Sequence, residues 1–122
     1  YYRGGNDEST LGGFLFVNHC VFNNIGENEK QSILKLNGIV NVSIVNSIFS
    51  NSMAKTSVKL SGSKNLIQNC CFYNSPAPKV ENGAVSQNLY FDNPRFEKNS
   101  FLLSKKSPLI GKAADGGNIG LK

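Results

Sequence analysis

The sequence predicts an all-β chain, specifically the C-terminal coils and cap of a right-handed single-stranded parallel β-helix, a solenoid of short strands. Three observations support this fold class. One strand motif ending in Phe and Asn recurs along the chain, a second motif ending in Gly recurs beside it, and no stretch has the apolar period of a surface helix. We expect one domain over residues 1–122, with about four coils or part-coils in residues 1–91 and a closing strand and tail in residues 92–122.

The first motif is a strand that contains a Phe and is followed by an Asn. Its clearest copies are residues 18–24, 45–51 and 68–74. The Phe positions recur at intervals of 27, 23 and 24 residues: Phe22, Phe49, Phe72 and Phe96. Such repeats bury their apolar faces only against neighbouring coils, so equivalent Phe rings should stack about 4.8 Å apart.

Side chains alternate between the two faces of a strand, and this sorts the residues around the Phe column. The residues two places before each Phe should face inward with it: Cys20, Ser47 and Cys70. The residues directly before each Phe should face outward: Val21, Ile48 and Cys71. Because Cys20 and Cys70 would lie two coils apart, farther than a disulfide spans, we predict free thiols.

A polar residue precedes each strand of this motif. Asn46 and Asn69 occupy this place in two copies, and His19, the single histidine, occupies it in the first. Asn tolerates left-handed backbone angles, and its side chain can hydrogen-bond along a stack, so we expect a turn ladder. The alternative for His19 is general-base catalysis.

The second motif covers residues 34–38 and 58–62, where apolar and polar residues alternate before a Gly. Lys35 and Lys59 hold equivalent outward positions in it. They predict a two-rung cationic ladder that could pair with uronic or sulfated sugars, which repeat along a chain. The alternative is a solvated lysine surface, since like charges on adjacent rungs repel.

Two further groups are candidates for binding. Arg3 is a candidate substrate-binding residue, and it lies near a set of acidic residues in loops that align between adjacent coils: Asp7, Glu8, Glu27 and Glu29. Their carboxylates could hold calcium, or they could form a solvated acidic turn or take part in acid–base chemistry. Tyr73 follows Phe72 and should point outward, where its ring could stack on a sugar.

The charge and hydropathy of the sequence indicate which classes of binding partner the chain favours. The net charge is +5, with −3 on residues 1–29 and +8 on residues 30–122. Lysines are scattered without interleaved aromatics, so an acidic polysaccharide is a better candidate partner than nucleic acid. No apolar run approaches the roughly 20 residues that span a bilayer, and we expect a monomer without a membrane span.

The end of the chain carries a composite motif. It consists of residues 92–96 (DNPRF), 101–103 (FLL), 107–111 (SPLIG) and 115–120 (DGGNIG). Together with the coil repeats, this tail resembles the closing segment of secreted pectin-lyase-like β-helix proteins of Bacteroidetes, a group that includes relatives of chondroitinase B and alginate lyase. Its Pro and Gly residues should end strand pairing and protect the last edge.

The resemblance implies the C-terminal part of a secreted, periplasmic or cell-surface protein that acts on acidic polysaccharides as a lyase. It identifies no catalytic residues in this chain, and upstream coils are expected to carry them. The alternatives are a non-catalytic glycan-binding or surface-interaction solenoid, and coils that only stabilise and end the stack.

Overall fold

The computed structural model describes residues 2–3, 14–25, 32–34, 36–37 and 41–121. Within these ranges the chain is all-β, as predicted, with short strands and no helix. The strands are β1 (Tyr2–Arg3), β2 (Phe14–Asn18), β3 (Val21–Asn23), β4 (Leu36–Asn37), β5 (Asn41–Val45), β6 (Ile48–Ser50), β7 (Lys59–Ser61), β8 (Asn65–Tyr73), β9 (Lys79–Glu81) and β10 (Val85–Tyr90). All pairings between these strands are parallel.

The first ladder contains β2, β5, the first part of β8, and β10, in that order. Val17 pairs with Ile44, and Ile44 pairs with Ile67. The chain returns to this side of the molecule after 27, 23 and 19 residues in turn. These apolar residues come back into register because the strands of adjacent repeats bury them against one another.

The second ladder contains β3, β6 and the last part of β8, and it carries the Phe column. Phe22 pairs with Phe49, which pairs with Phe72. The ring centroids are 4.8 Å apart in both pairs, and the interplanar angles are 14° and 9°. The predicted stacking of these three rings is confirmed.

The third ladder contains β7 and β9, and it corresponds to the second sequence motif. Leu60 pairs with Val80, and Leu60 is buried while its neighbours in β7 are exposed. Gly62 ends the strand at a φ of 113°, a backbone angle that favours glycine. Ser32 forms a parallel bridge with Thr56, which precedes β7 by three residues, and β1 pairs with β4 in a separate two-stranded sheet.

Left-handed residues form a column between the first and second ladders, which we call the turn column. It consists of His19, Asn46, Asn69 and Asn88, with φ between 51° and 53°. The predicted left-handed turn is confirmed at the three positions named from the sequence. Asn46 Nδ2 donates to Asn18 Oδ1 at 2.9 Å, so part of the hydrogen bonding runs between adjacent repeats, as expected.

The inward face of the ladders forms the main core. Cys70 is buried with Phe49 and Phe72, and Cys20 packs partly buried beside them. The aliphatic members of this core include Val17, Val42, Ile44 and Ile67 of the first ladder and Leu60 of the third, with Val58 just before β7. The described cysteines are free thiols, as predicted.

The outward face of the second ladder is covered rather than exposed. Val21, Ile48 and Cys71 do lie on the opposite side from the Phe column, but Ile48 and Cys71 have no exposed surface. They form a second core with Leu109, Ala113 and Ile119 of the C-terminal tail, defined here as residues 92–121.

The tail therefore follows a different path from the expected closing segment. Instead of only ending the strand pairing, it packs along the side of the stack. Gly120 N donates to Asn46 O at 2.8 Å, and Gly120 has a φ of 92°. A Cβ at this position would lie 2.7 Å from Ile48 Cδ1, so the absence of a side chain allows the tail to lie against the ladder.

The assignment of Phe96 to the Phe column is wrong. Phe91 follows Phe72 instead, with ring centroids 6.5 Å apart, because the last repeat is shorter than its predecessors. Phe96 packs against the second core and makes an edge contact with Phe101 at 5.4 Å. A backbone bridge from Phe96 to Leu103 folds this part of the tail back on itself.

Candidate functional site

The exposed face of the third ladder carries two lysines in register, Lys59 on β7 and Lys79 on β9, which we call the lysine pair. They are direct partners across the parallel strands, so their Cα atoms occupy adjacent rungs about 4.8 Å apart. Both side chains are exposed. Lys35, the predicted partner of Lys59, lies outside the described residues.

Acidic and polar groups complete this face. Glu81 Oε1 lies 3.2 Å from Lys59 Nζ, and both side chains are about half exposed, at 48% and 60%. Asn82 Nδ2 donates to Ser61 Oγ at 2.8 Å, which links the two strands at their C-terminal ends. The face thus presents two ammonium groups, one of them paired with a carboxylate, beside neutral hydrogen-bonding groups.

Lys79 was not among the residues selected from the sequence. Its signal is present in residues 79–83 (KVENG), which resemble residues 59–62 (KLSG) except for one additional residue before the Gly. That insertion and the shorter repeat length concealed the alignment. The structure places Lys79 on β9 in register with Lys59 on β7.

Tyr73 lies at the end of β8 and is partly buried against the second core. It points away from the Phe column, as the strand alternation predicted, but it packs against the second core, to which the tail contributes. The ring is therefore less accessible to a sugar than the sequence suggested.

The calcium candidates Asp7, Glu8, Glu27 and Glu29 lie outside the described residues. Arg3 belongs to β1, where it pairs with Asn37, and only its backbone is described. In the part of the chain that the structure does describe, no group of three His, Cys, Asp or Glu side chains is placed to hold a metal ion.

His19 is held by the tail. Its Nε2 lies 2.8 Å from Asp115 Oδ2, and its Nδ1 lies 2.9 Å from Gly120 O. Its side chain is 7% exposed. Both ring nitrogens are occupied, so the geometry favours a structural role over general-base catalysis, which needs an accessible nitrogen.

An open cavity of about 420 Å³ lies beside this contact, lined by His19, Asp115, Gly117 and Asn118. Asp115 Oδ1 accepts a hydrogen bond from Gly117 N at 2.9 Å, which fixes the carboxylate in a tight turn. The sequence motif DGGNIG predicted that strand pairing ends at this turn, but it did not indicate that Asp115 contacts His19.

The two buried thiols are chemically quiet. Burial, the largest cause, raises the pKa of Cys70 from 9.0 to about 12. Burial also raises the pKa of Cys71 to about 12, with a smaller effect from Asp92. Since the thiolate is the reactive form, these thiols should resist alkylation at neutral and mildly alkaline pH.

We expect iodoacetamide at about pH 8 to modify Cys20 first, because Cys20 is only partly buried whereas Cys70 and Cys71 are fully buried. Peptide mass spectrometry of the native chain should show one modified site, and addition of urea should expose all three. Equal native labelling rates at Cys20 and Cys71 would contradict the tail-covered position of Cys71.

Because the folded state disfavours the thiolates of Cys70 and Cys71, unfolding should become easier as the pH rises above 9.0 towards about 12.

No protein-family model and no curated protein matches the chain. The described residues form no helix that is long and apolar enough to cross a membrane.

Proposed function

We propose that the chain forms coils of a right-handed parallel β-helix in an extracytoplasmic polysaccharide-active protein, and that its lysine pair binds an acidic glycan. The solenoid part of the proposal is supported by three parallel ladders to which the chain returns in succession. The stacked rings of Phe22, Phe49 and Phe72 give the direct evidence for repeats lying one above another.

The observation that carries the binding proposal is the register of Lys59 with Lys79 on an exposed face. Two like charges one rung apart repel, which weakens the folded state when no anion is present. An anionic chain lying along the stack would relieve that repulsion at both lysines at once. Such a chain has its charges on a repeating unit, as uronic and sulfated glycans do.

Glu81 tunes this face. Its carboxylate pairs with Lys59 and leaves Lys79 without an ion pair among those the structure shows between described residues. A bound glycan carboxylate or sulfate would compete with Glu81 for Lys59. Binding should therefore be weak per site and sensitive to salt, as expected for exposed ion pairs.

The binding test uses the double variant Lys59→Ala/Lys79→Ala against alginate, chondroitin sulfate and polygalacturonate. Each exposed pair contributes a fraction of a kcal/mol, so affinity should fall about fivefold, and its salt dependence should decrease. Isothermal titration at two ionic strengths measures both quantities. Lys35→Ala/Lys59→Ala tests whether Lys35, in the preceding repeat of the second motif, also contributes to binding.

Two control variants sharpen the result. Lys105→Ala/Lys106→Ala removes the same charge from exposed tail positions and should leave affinity nearly unchanged. Glu81→Gln removes the competing carboxylate and should strengthen binding. If Lys105→Ala/Lys106→Ala weakens binding as much as Lys59→Ala/Lys79→Ala does, net charge rather than the lysine pair accounts for the affinity, and the proposed site is wrong.

The lyase activity rests on the resemblance of the tail to polysaccharide-lyase-type β-helix proteins, and it is tested separately. Incubation of the same glycans with a longer protein that contains this chain should yield unsaturated products detectable by ultraviolet absorbance, whereas the chain alone should yield none because upstream coils are expected to carry the catalytic residues. Binding without product would favour the alternative, a non-catalytic glycan-binding solenoid. If the glycans are neither bound nor cleaved, these coils have a purely structural role.

A further inference from the structure

The last part of the tail contacts the turn column at three successive rungs. Asn69 Nδ2 donates to Lys112 O at 2.9 Å, and Ala114 N donates to Asn46 Oδ1 at 2.7 Å. The third contact is between Asp115 and His19. The tail thus passes along the column from Asn69 to His19, opposite to the order in which the repeats follow one another in the chain.

The contact at His19 differs in kind from the other two. An Asn side chain has both a donor and an acceptor, so it can hydrogen-bond to the tail without a change of protonation. The His19 ring faces a backbone carbonyl with Nδ1 and a carboxylate with Nε2, and both of these are acceptors. Only the imidazolium form donates from both nitrogens, whereas a neutral ring turns a lone pair towards one of the oxygens.

The surroundings of the ring reinforce this requirement. Asp115 is the ionisable side chain within hydrogen-bond reach of His19, and the next rung, Asn46, is uncharged. Lys112 meets the column through its backbone carbonyl, at Asn69, two rungs away. The ring itself is almost fully enclosed, whereas Asp115 is 43% exposed at the open cavity, so solvent reaches the contact from the Asp115 side.

We propose that the C-terminal tail is a pH-sensitive strap, held on the turn column by protonated His19. When His19 takes a proton from solvent, it donates to Asp115 and Gly120 and fixes the last segment of the tail. When it loses the proton, the segment loosens and exposes the outward face of the second ladder at Val21 and Ile48. Histidine is the side chain whose ordinary titration falls in the physiological range, and the chain has one.

Amide hydrogen exchange measured by NMR tests the strap. Gly120 N and Ala114 N donate to Asn46 and report docking of the tail. Between about pH 5.5 and about pH 7.5, their protection factors should fall about tenfold. Cys71 N, which donates to Ser47 O inside the ladders, serves as the internal control and should not change.

Two variants decide the cause. His19→Asn reproduces the residue found at the other rungs and tolerates the left-handed angle, so the chain should fold and lose the pH dependence at Gly120. Asp115→Asn removes the charged acceptor and should lower protection at the acidic pH. Equal protection at both pH values in the parent chain would overturn the proposal, as would a pH response that persists in His19→Asn.

Discussion

Replacing Phe49 by Ala should cost about 3–5 kcal/mol in free energy of unfolding, the largest loss we expect from any single substitution in the chain. Phe49 is fully buried and is the middle ring of the stack, with Phe22 and Phe72 each 4.8 Å away. Removing it opens a cavity between two rings that the parallel backbone ladders hold in place, so the neighbours cannot close the gap.

Urea unfolding followed by circular dichroism measures this loss. Phe14→Ala is the matched control, because Phe14 lies in β2 with 66% of its surface exposed and should cost less than about 1 kcal/mol. If Phe49→Ala does not fold, Phe49→Leu should retain the fold with a smaller loss. Similar losses for Phe49→Ala and Phe14→Ala would contradict the role of the Phe column as the centre of the stack.

The ladders were predictable from the sequence because equivalent residues in stacked repeats share one environment. Phe22, Phe49 and Phe72 occupy equivalent positions in one stack, so selection for packing gives them the same residue and the same flanking Asn. The left-handed turns followed for a similar reason, since few residues other than Gly and Asn accept that backbone angle.

The last repeat, from β8 to β10, was harder to align because it is shorter than those before it. Shortening of the last repeat to 19 residues moved Phe91, rather than Phe96, into place above Phe72. The same variation concealed Lys79 as the partner of Lys59. Extending the intervals of 27 and 23 residues between the earlier Phe positions therefore misplaced Phe96 and missed Lys79, because the last repeat is shorter.

The path of the tail could not be predicted from its own composition. Pro and Gly indicate where strand pairing ends, but they do not indicate which surface the chain then covers. One clue was present: Val21, Ile48 and Cys71 are apolar at positions assigned to the outside. A run of outward apolar residues on stacked strands implies a cover, because an exposed apolar stripe of this kind promotes association.

If the tail is part of the folded core, truncating a single side chain in it should destabilise the molecule as a buried strand residue would. Leu109 is fully buried in the second core with Ile48 and Cys71, and its neighbour Ile110 is 43% exposed. Leu109→Ala should therefore cost about 2–4 kcal/mol, whereas Ile110→Ala should cost less than about 1 kcal/mol.

This pair is well matched, since both changes remove aliphatic carbons at adjacent positions of one irregular segment. Urea unfolding gives the total loss, and the alkylation rate of Cys71 shows whether the tail alone has detached. A faster Cys71 reaction with little loss of ladder stability would mean that the tail unfolds as a separate unit. Equal, small effects of both variants on both measurements would show that the tail does not hold the outward face of the second ladder. A large loss confined to Leu109→Ala would establish that the stack requires its lateral cover as well as its Phe column.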